Sequence, residues 1–245
     1  SARDELPMKY HATKELLARA PNLLIVSTGG AGYDTVNVKD CTEAGVLVVN
    51  QTGGNADAVA AHVLAMVLML SKQIIQTDHT LRKGTMHDRN AFMGSDINNR
   101  TIGIVGLGNV GRRVARLCKT LFDMNVLACD PNLDEKTIAE RGATKVMLDE
   151  LLKRADFITL HVPLTDQTRN ILSRENLEKT KKGVRIINAA RGGIVDDAAL
   201  AQALRDGRIA AAALDVFEGE PRVHPHLLQV PNVVLTPHIA SATET

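Results

Sequence analysis

"TIGIVGLGNVGRRVARLCKTLF" (residues 101–122) decides the reading of this chain. Its first five residues are an apolar, β-branched run of the kind a buried strand uses. Gly106, Gly108 and Gly111 follow in G-x-G-x-x-G spacing, and from Val110 an amphipathic helix leaves the turn. Glycine-rich turns are common, so the spacing alone is a weak signal; the strand before it and the helix after it give it meaning. Glycines there let backbone N–H groups approach a pyrophosphate at the start of a helix, with Gly106, Gly108, Asn109, Val110 and Gly111 as the candidate cradle. Asp130 closes the next strand-like run, "NVLACD", nineteen positions after Gly111. A carboxylate at that place accepts hydrogen bonds from the adenosine ribose hydroxyls. Pro131 and Asn132 come next, with no arginine to receive a 2′-phosphate, so the expected cofactor is NAD rather than NADP. The bland alternative for Asp130 is a surface residue starting a turn before proline.

Beyond this unit the alternation continues. Strand-like runs recur at "DFITLHV", "VRIINAA", "AAAALDV" and "NVVLTP", with "TKVM" as a short extra. Helical stretches fall at 110–123, 134–141, 148–154 and 197–206. Apolar strands separated by helices imply right-handed crossovers and a doubly wound parallel sheet, the Rossmann arrangement. Ahead of it lies a smaller α/β unit: a helix over 10–20, a strand in "LLIVSTGGAGYD" (23–34) and another in "GVLVVNQTGGN" (45–55). Asn55 is placed to cap a long apolar helix running through Arg82, and "HDRNAFMGSDINNR" (87–100) reads as a polar loop. The expected fold class is therefore α/β, with a second, smaller flavodoxin-like substrate domain that is incomplete in this chain. Its boundary falls at Thr52-Gly53-Gly54: a substrate domain over 1–52, a dinucleotide domain over 53–237, and a return toward the first over 238–245.

Composition removes several function classes. Lys and Arg total 29 against 28 Asp and Glu, and the chain has no Trp, two Tyr and four Phe. So even a balance and so few stacking rings favour neither nucleic acid nor an anionic membrane. Residues 58–70, the longest apolar stretch, are too few to span a bilayer. Cys41, Cys118 and Cys129 show no paired spacing, so neither a disulfide framework nor a metal site is expected, and reduced cytoplasmic thiols fit them.

In a doubly wound sheet, ligands sit beyond the carboxyl ends of the strands. His161, Arg191, Asp215 and His238 stand there, with Glu220 in the loop after Asp215. Arg191 ends an almost wholly apolar run, and an always-charged guanidinium there calls for an anion. The structural alternatives are that Arg191 pairs internally, that Asp215 caps a turn, and that His161 hydrogen-bonds the backbone and shapes its loop, which is the favoured reading of that histidine.

The phosphate loop together with "HVPLT", "INAARGGIVDDAAL", "ALDVFEGEP" and "LTPHIAS" resembles, in order and spacing, the D-isomer-specific 2-hydroxyacid dehydrogenases, the family of the phosphoglycerate dehydrogenases and the hydroxypyruvate and glyoxylate reductases. The resemblance runs from about residue 10 to the end. It implies reduction of a 2-keto acid by NADH, with Arg191, Glu220 and His238 catalytic: Arg191 holds the carboxylate and polarises the carbonyl, and His238 gives the proton to the developing alkoxide while Glu220 stabilises its protonated form. It also implies that Asp215 contacts the nicotinamide carboxamide. It adds cofactor contacts from His161, Val162, Pro163 and Thr168, and from Ala189, Ala190 and His238. Gly30, Ala31 and Gly32 resemble the segment whose backbone grips the substrate carboxylate, beside Arg191; the alternative is a turn serving only the fold. It further implies a homodimer paired through the apolar helix, a segment ahead of Ser1 and a returning helix after Thr245. Ala61 departs from the pattern, since an acidic residue usually stands there. A cofactor-binding corepressor scaffold and a phosphite dehydrogenase share these motifs and remain alternatives; formate is disfavoured by Glu220, where that branch carries glutamine.

Overall fold

The computed structural model describes residues 6 to 244, so the outermost ends of the expected domains lie outside it. The chain divides into two compact units, the first ending at Asp57 and the second beginning at Ala58.

The first unit holds α1 (Lys14–Arg19), β1 (Ile25–Ser27), α2 (Val38–Glu43) and β2 (Leu47–Val49). β1 and β2 pair in parallel, and Ala12, Leu17, Val36, Cys41 and Val46 form its small core. The helix expected over 10–20 is shorter. Ala12 bridges to Val36 in extended conformation, and only the residues after Thr13 coil. α2 was not expected; its start is nonetheless written in the sequence, because the Asn37 side chain accepts the Asp40 N–H.

The second unit opens with α3 (Ala56–Lys72, whose first turn straddles the division) and α4 (Ile74–Arg82). A single helix through Arg82 was expected, yet the chain breaks at Gln73, which takes φ 52°, and the two helices are bent by 62°. The cause lies in the loop that follows them. Ser95 N–H takes the Ser71 carbonyl at 2.9 Å, an acceptor that a continuing helix would give to residue 75. No single helix among the described residues is long and apolar enough to cross a membrane.

From residue 101 the alternation proceeds as expected: β3 (Thr101–Val105), α5 (Asn109–Phe122), β4 (Asn125–Cys129), α6 (Glu135–Glu140), β5 (Thr144–Lys145), α7 (Leu148–Arg154), β6 (Phe157–Leu160), α8 (Arg174–Lys179), β7 (Val184–Asn188), α9 (Asp197–Arg205), β8 (Ile209–Leu214), α10 (Pro225–Leu228) and β9 (Val233–Leu235). The short helices α8 and α10 were not expected. All pairings are parallel, and the order is β5-β4-β3-β6-β7-β8-β9. Each face of the sheet is apolar. One packs Val63, Met66, Val67, Val114 and Cys118, the other Leu151, Leu177, Leu200 and Leu204. The order reverses between β3 and β6, which puts the switch point at the carboxyl end of β3, where the glycine turn begins.

Candidate active site

The glycine turn is dictated partly by the fold and partly by something else. Gly106 takes φ 89°, and a Cβ there would stand 2.7 Å from the His161 carbonyl oxygen. A Cβ on Gly111 would stand 2.2 Å from the Gly106 carbonyl oxygen. Gly108 is different: open space surrounds its Cβ position, and no side chain caps the helix it begins. Uncapped N–H groups at the start of a long helix are a ready partner for an anion. Asn109 opens that helix and gives its carbonyl to Arg113, while Val110 packs against the core. The turn thus fits the pyrophosphate of a dinucleotide.

Asp130 stands half-buried at the end of β4. Its Oδ2 accepts the Leu107 N–H at 2.9 Å and its Oδ1 the Asn132 N–H at 3.0 Å. The same carboxylate therefore locks the glycine turn, and each oxygen keeps a further lone pair for a hydroxyl.

The remaining residues gather at the ends of β6 to β9. His161 follows β6, with Nε2 3.0 Å from Thr159 Oγ1. Burial pushes its imidazole pKa down to about 4, so it is neutral near pH 7. Val162 packs against the second core face, and Thr168 Oγ1 donates to the Pro163 carbonyl at 2.6 Å, closing the loop. After β7, the half-buried Ala189 and Ala190 lead to Arg191. The Asn188 side chain sets this corner, accepting from Ala190 N–H at 3.1 Å and donating to the Arg191 carbonyl at 2.9 Å. Arg191 Nη1 donates to the Ala190 carbonyl at 2.6 Å. Gly192 lies against the loop after β8 so tightly that a Cβ would fall 1.8 Å from the Phe217 carbonyl oxygen.

That loop carries Glu220, whose Oε1 accepts the Phe217 N–H at 2.9 Å while Oε2 stands 2.7 Å from His238 Nδ1. The Glu220 hydrogen bond raises the His238 pKa, burial opposes it, and the Glu220 charge raises it further. The charge of Arg191 lowers it, which places the guanidinium within electrostatic reach of the ring. His238 takes φ 53°, a left-handed conformation held from below. Its N–H donates to the Asp215 carbonyl at 2.8 Å, and the fully buried Asp215 carboxylate accepts Ile239 N–H and Ala240 N–H, each at 2.9 Å.

Sequence reasoning missed three members of this shelf. Asn188 looked like the end of an apolar strand. Thr236 Oγ1 donates to Asp215 Oδ1 at 2.6 Å, and His62 Nε2 lies 3.3 Å from that hydroxyl. His62 lies within the apolar helix; an imidazole amid the twelve apolar residues of 58–70 was the available signal. In the first unit, Gly30 and Ala31 give their carbonyls to Gln51 N–H at 3.0 Å and Asn50 Nδ2 at 2.9 Å. A Cβ would meet nothing at Gly29 or Gly30, so the turn itself does not require glycine there.

A parallel sheet whose switch point carries this glycine turn, with polar side chains at its strand ends, defines a nicotinamide-dinucleotide-binding domain. Residues 64–240 match the model of the D-isomer specific 2-hydroxyacid dehydrogenase NAD binding domain, and the chain belongs to that family. It is 44% identical over 230 residues to D-3-phosphoglycerate dehydrogenase of Archaeoglobus fulgidus, covering 94% of this chain and 43% of that protein. The chain thus spans less than half the length of the curated relatives it matches. Among solved structures, glyoxylate reductase of Paecilomyes thermophila superposes with a TM-score of 0.88 at 35% identity, covering 96% of this chain and 71% of that one. D-lactate dehydrogenase of Aquifex aeolicus, complexed with NAD and lactic acid, gives 0.85 at 31% identity, covering 99% and 81%.

Proposed function

We propose that the chain is the cofactor-binding and catalytic part of an NAD-dependent oxidoreductase that interconverts a small D-2-hydroxy acid and its 2-keto acid. The observation that carries this reading is the 2.7 Å contact between His238 and Glu220, with the charge of Arg191 felt at the same ring. NAD(H), when bound, supplies or takes the hydride. The turn 106–111 and Asp130 hold it, with His161 to Pro163, Thr168, Ala189, Ala190 and Asp215 along its length. Arg191 binds the substrate carboxylate and polarises the carbonyl, since its planar fork offers parallel donors to planar oxygens. His238 gives its proton to the developing alkoxide, and Glu220 stabilises the imidazolium that does so. In the first unit, Gly30, Ala31 and Gly32 take a substrate carboxylate on their backbone.

Relatives named D-3-phosphoglycerate dehydrogenase make the corresponding phosphorylated hydroxy acid the first substrate to try. Three free cysteines fit a reducing compartment, which we take to be the cytoplasm. The resemblance supports a homodimer through α3, testable by light scattering. The test of function follows NADH absorbance with the full-length protein and a panel of 2-keto acids. Turnover with one of them is expected. NADH binding without turnover of any would overturn the enzyme reading and leave a regulatory scaffold.

A further inference from the structure

The sequence places no arginine beside Asp130, but the fold brings one there from eleven positions downstream. Arg141 caps the end of α6, donating its N–H to the Thr137 carbonyl at 3.1 Å. Gly142, at φ 83°, turns the chain out of the helix, and Ala143 N–H closes onto the Ile138 carbonyl at 3.2 Å. This termination fixes the Arg141 backbone, and its side chain reaches the glycine turn, where Nη1 donates to the Leu107 carbonyl. Asp130 holds the N–H of the same residue. Leu107 is therefore gripped on its two sides by an acid and a base, at the point where the adenosine ribose is expected.

The two side chains make opposite demands on the ribose. The Asp130 carboxylate accepts from hydroxyls and repels a 2′-phosphate. A guanidinium has five donors in a fixed fork, and Arg141 uses Nη1 on Leu107. Lys145, whose Nζ donates to the Leu133 carbonyl, adds a second positive charge at this end of the sheet.

We propose that Arg141 is a specificity-determining residue of the dinucleotide site: it is the ligand for a 2′-phosphate, and Asp130 is what keeps that capacity suppressed. The proposal rests on the reading of residues 106–130 as the dinucleotide cradle. Whatever NADPH binding the unmodified protein has depends on Arg141, and removing the Asp130 charge exposes it.

The experiment titrates NADH and NADPH by nicotinamide fluorescence into the full chain and into Asp130→Asn, Arg141→Gln and the double variant. Asp130→Asn is chosen because its amide oxygen still accepts the Leu107 N–H. The unmodified chain is expected to prefer NADH. Asp130→Asn is expected to tighten NADPH by about tenfold or more, as loss of a repulsive unit charge at close range allows. The double variant is expected to lose that gain, and Arg141→Gln to weaken NADPH binding more than it weakens NADH binding. A role confined to bracing the turn would weaken both nucleotides alike, and that result overturns the proposal. So does a NADPH gain that survives in the double variant. Failure of the unmodified chain to bind either nucleotide overturns the dinucleotide reading itself, and the proposal with it.

Discussion

His238 Nδ1 and Glu220 Oε2 are 2.7 Å apart, and the other Glu220 oxygen is anchored on the Phe217 N–H, so the carboxylate is aimed rather than merely near. The hydrogen bond raises the pKa of His238, and reduction of a keto acid requires the protonated ring. The rate of reduction is therefore expected to fall as pH rises through that raised value. Glu220→Gln is expected to move the fall to lower pH, and His238→Ala to cost about 10²- to 10⁴-fold in kcat. The linkage to stability has the same sign. A raised folded pKa contributes stability that is full below the unfolded value and lost as pH rises through the folded one. Melting curves across that window should show the loss in the unmodified protein and not in Glu220→Gln.

His161 is expected to behave oppositely. Burial lowers its pKa to about 4, so it is neutral when His238 is charged and has no proton to give as an acid. His161→Asn should leave the midpoint of the pH–rate profile in place. Because the folded value lies below the unfolded one, His161 costs stability as pH falls through the unfolded value, until both states are protonated below about 4. Denaturation by urea at successive acid pH values should therefore show the Asn variant to be less acid-sensitive. A dead His161→Asn beside an active His238→Ala would exchange the roles of the two histidines.

The main strands and helices from residue 101 on were legible because they are long enough to carry their own periodicity, whereas α8 and α10 are too short to do so. The break at Gln73 was not legible, because its cause is the Ser95 N–H, contributed by a loop more than twenty residues away. The same holds in the site. Arg191 and His238 stand out as polar residues against an apolar background at strand ends, and Glu220 lies in the loop after Asp215; it is the resemblance to the family that singles out these three. Arg141 was not legible because it reaches Leu107 from the end of α6, eleven positions beyond Asp130, where no local pattern marks it. His62 was hidden for another reason: it is the one polar residue between Ala58 and Leu70, and so apolar a stretch draws attention away from it.

Gly192 ties the arginine corner to the acid loop. Its backbone lies so close to Phe217 that a Cβ would sit 1.8 Å from a carbonyl oxygen, and backbone cannot swing aside as a side chain can. Gly192→Ala is expected to cost about 1–3 kcal/mol of stability, the range for forced overpacking. It should also displace the turn from Phe217 to Glu220, moving the pH–rate profile in the direction of Glu220→Gln. Destabilisation with an unmoved profile would mean that the contact supports the fold alone and does not aim the carboxylate.

Arg191 is expected to be the residue whose chemistry matters most beyond its charge. Asn188 fixes the backbone on both sides of it, so its side chain starts from a set direction. Glu220 raises the pKa of His238 and the positive charge of Arg191 works against that rise, which gives two substitutions with separable outcomes. Arg191→Lys keeps the charge and loses the fork, so the pH–rate profile should hardly move while KM for the keto acid rises. The turnover number should fall as well, because part of the interaction strengthens only as negative charge develops on the substrate oxygen. Arg191→Gln removes the charge, so the His238 pKa should rise and the decline of the reduction rate should shift to higher pH. NADH affinity, read by fluorescence, should be little changed in either variant. The competing role is structural: an internal partner for the guanidinium and no contact with substrate. That role predicts an early melting transition with normal kcat and KM, and steady-state kinetics run beside a melting curve distinguish the two directly.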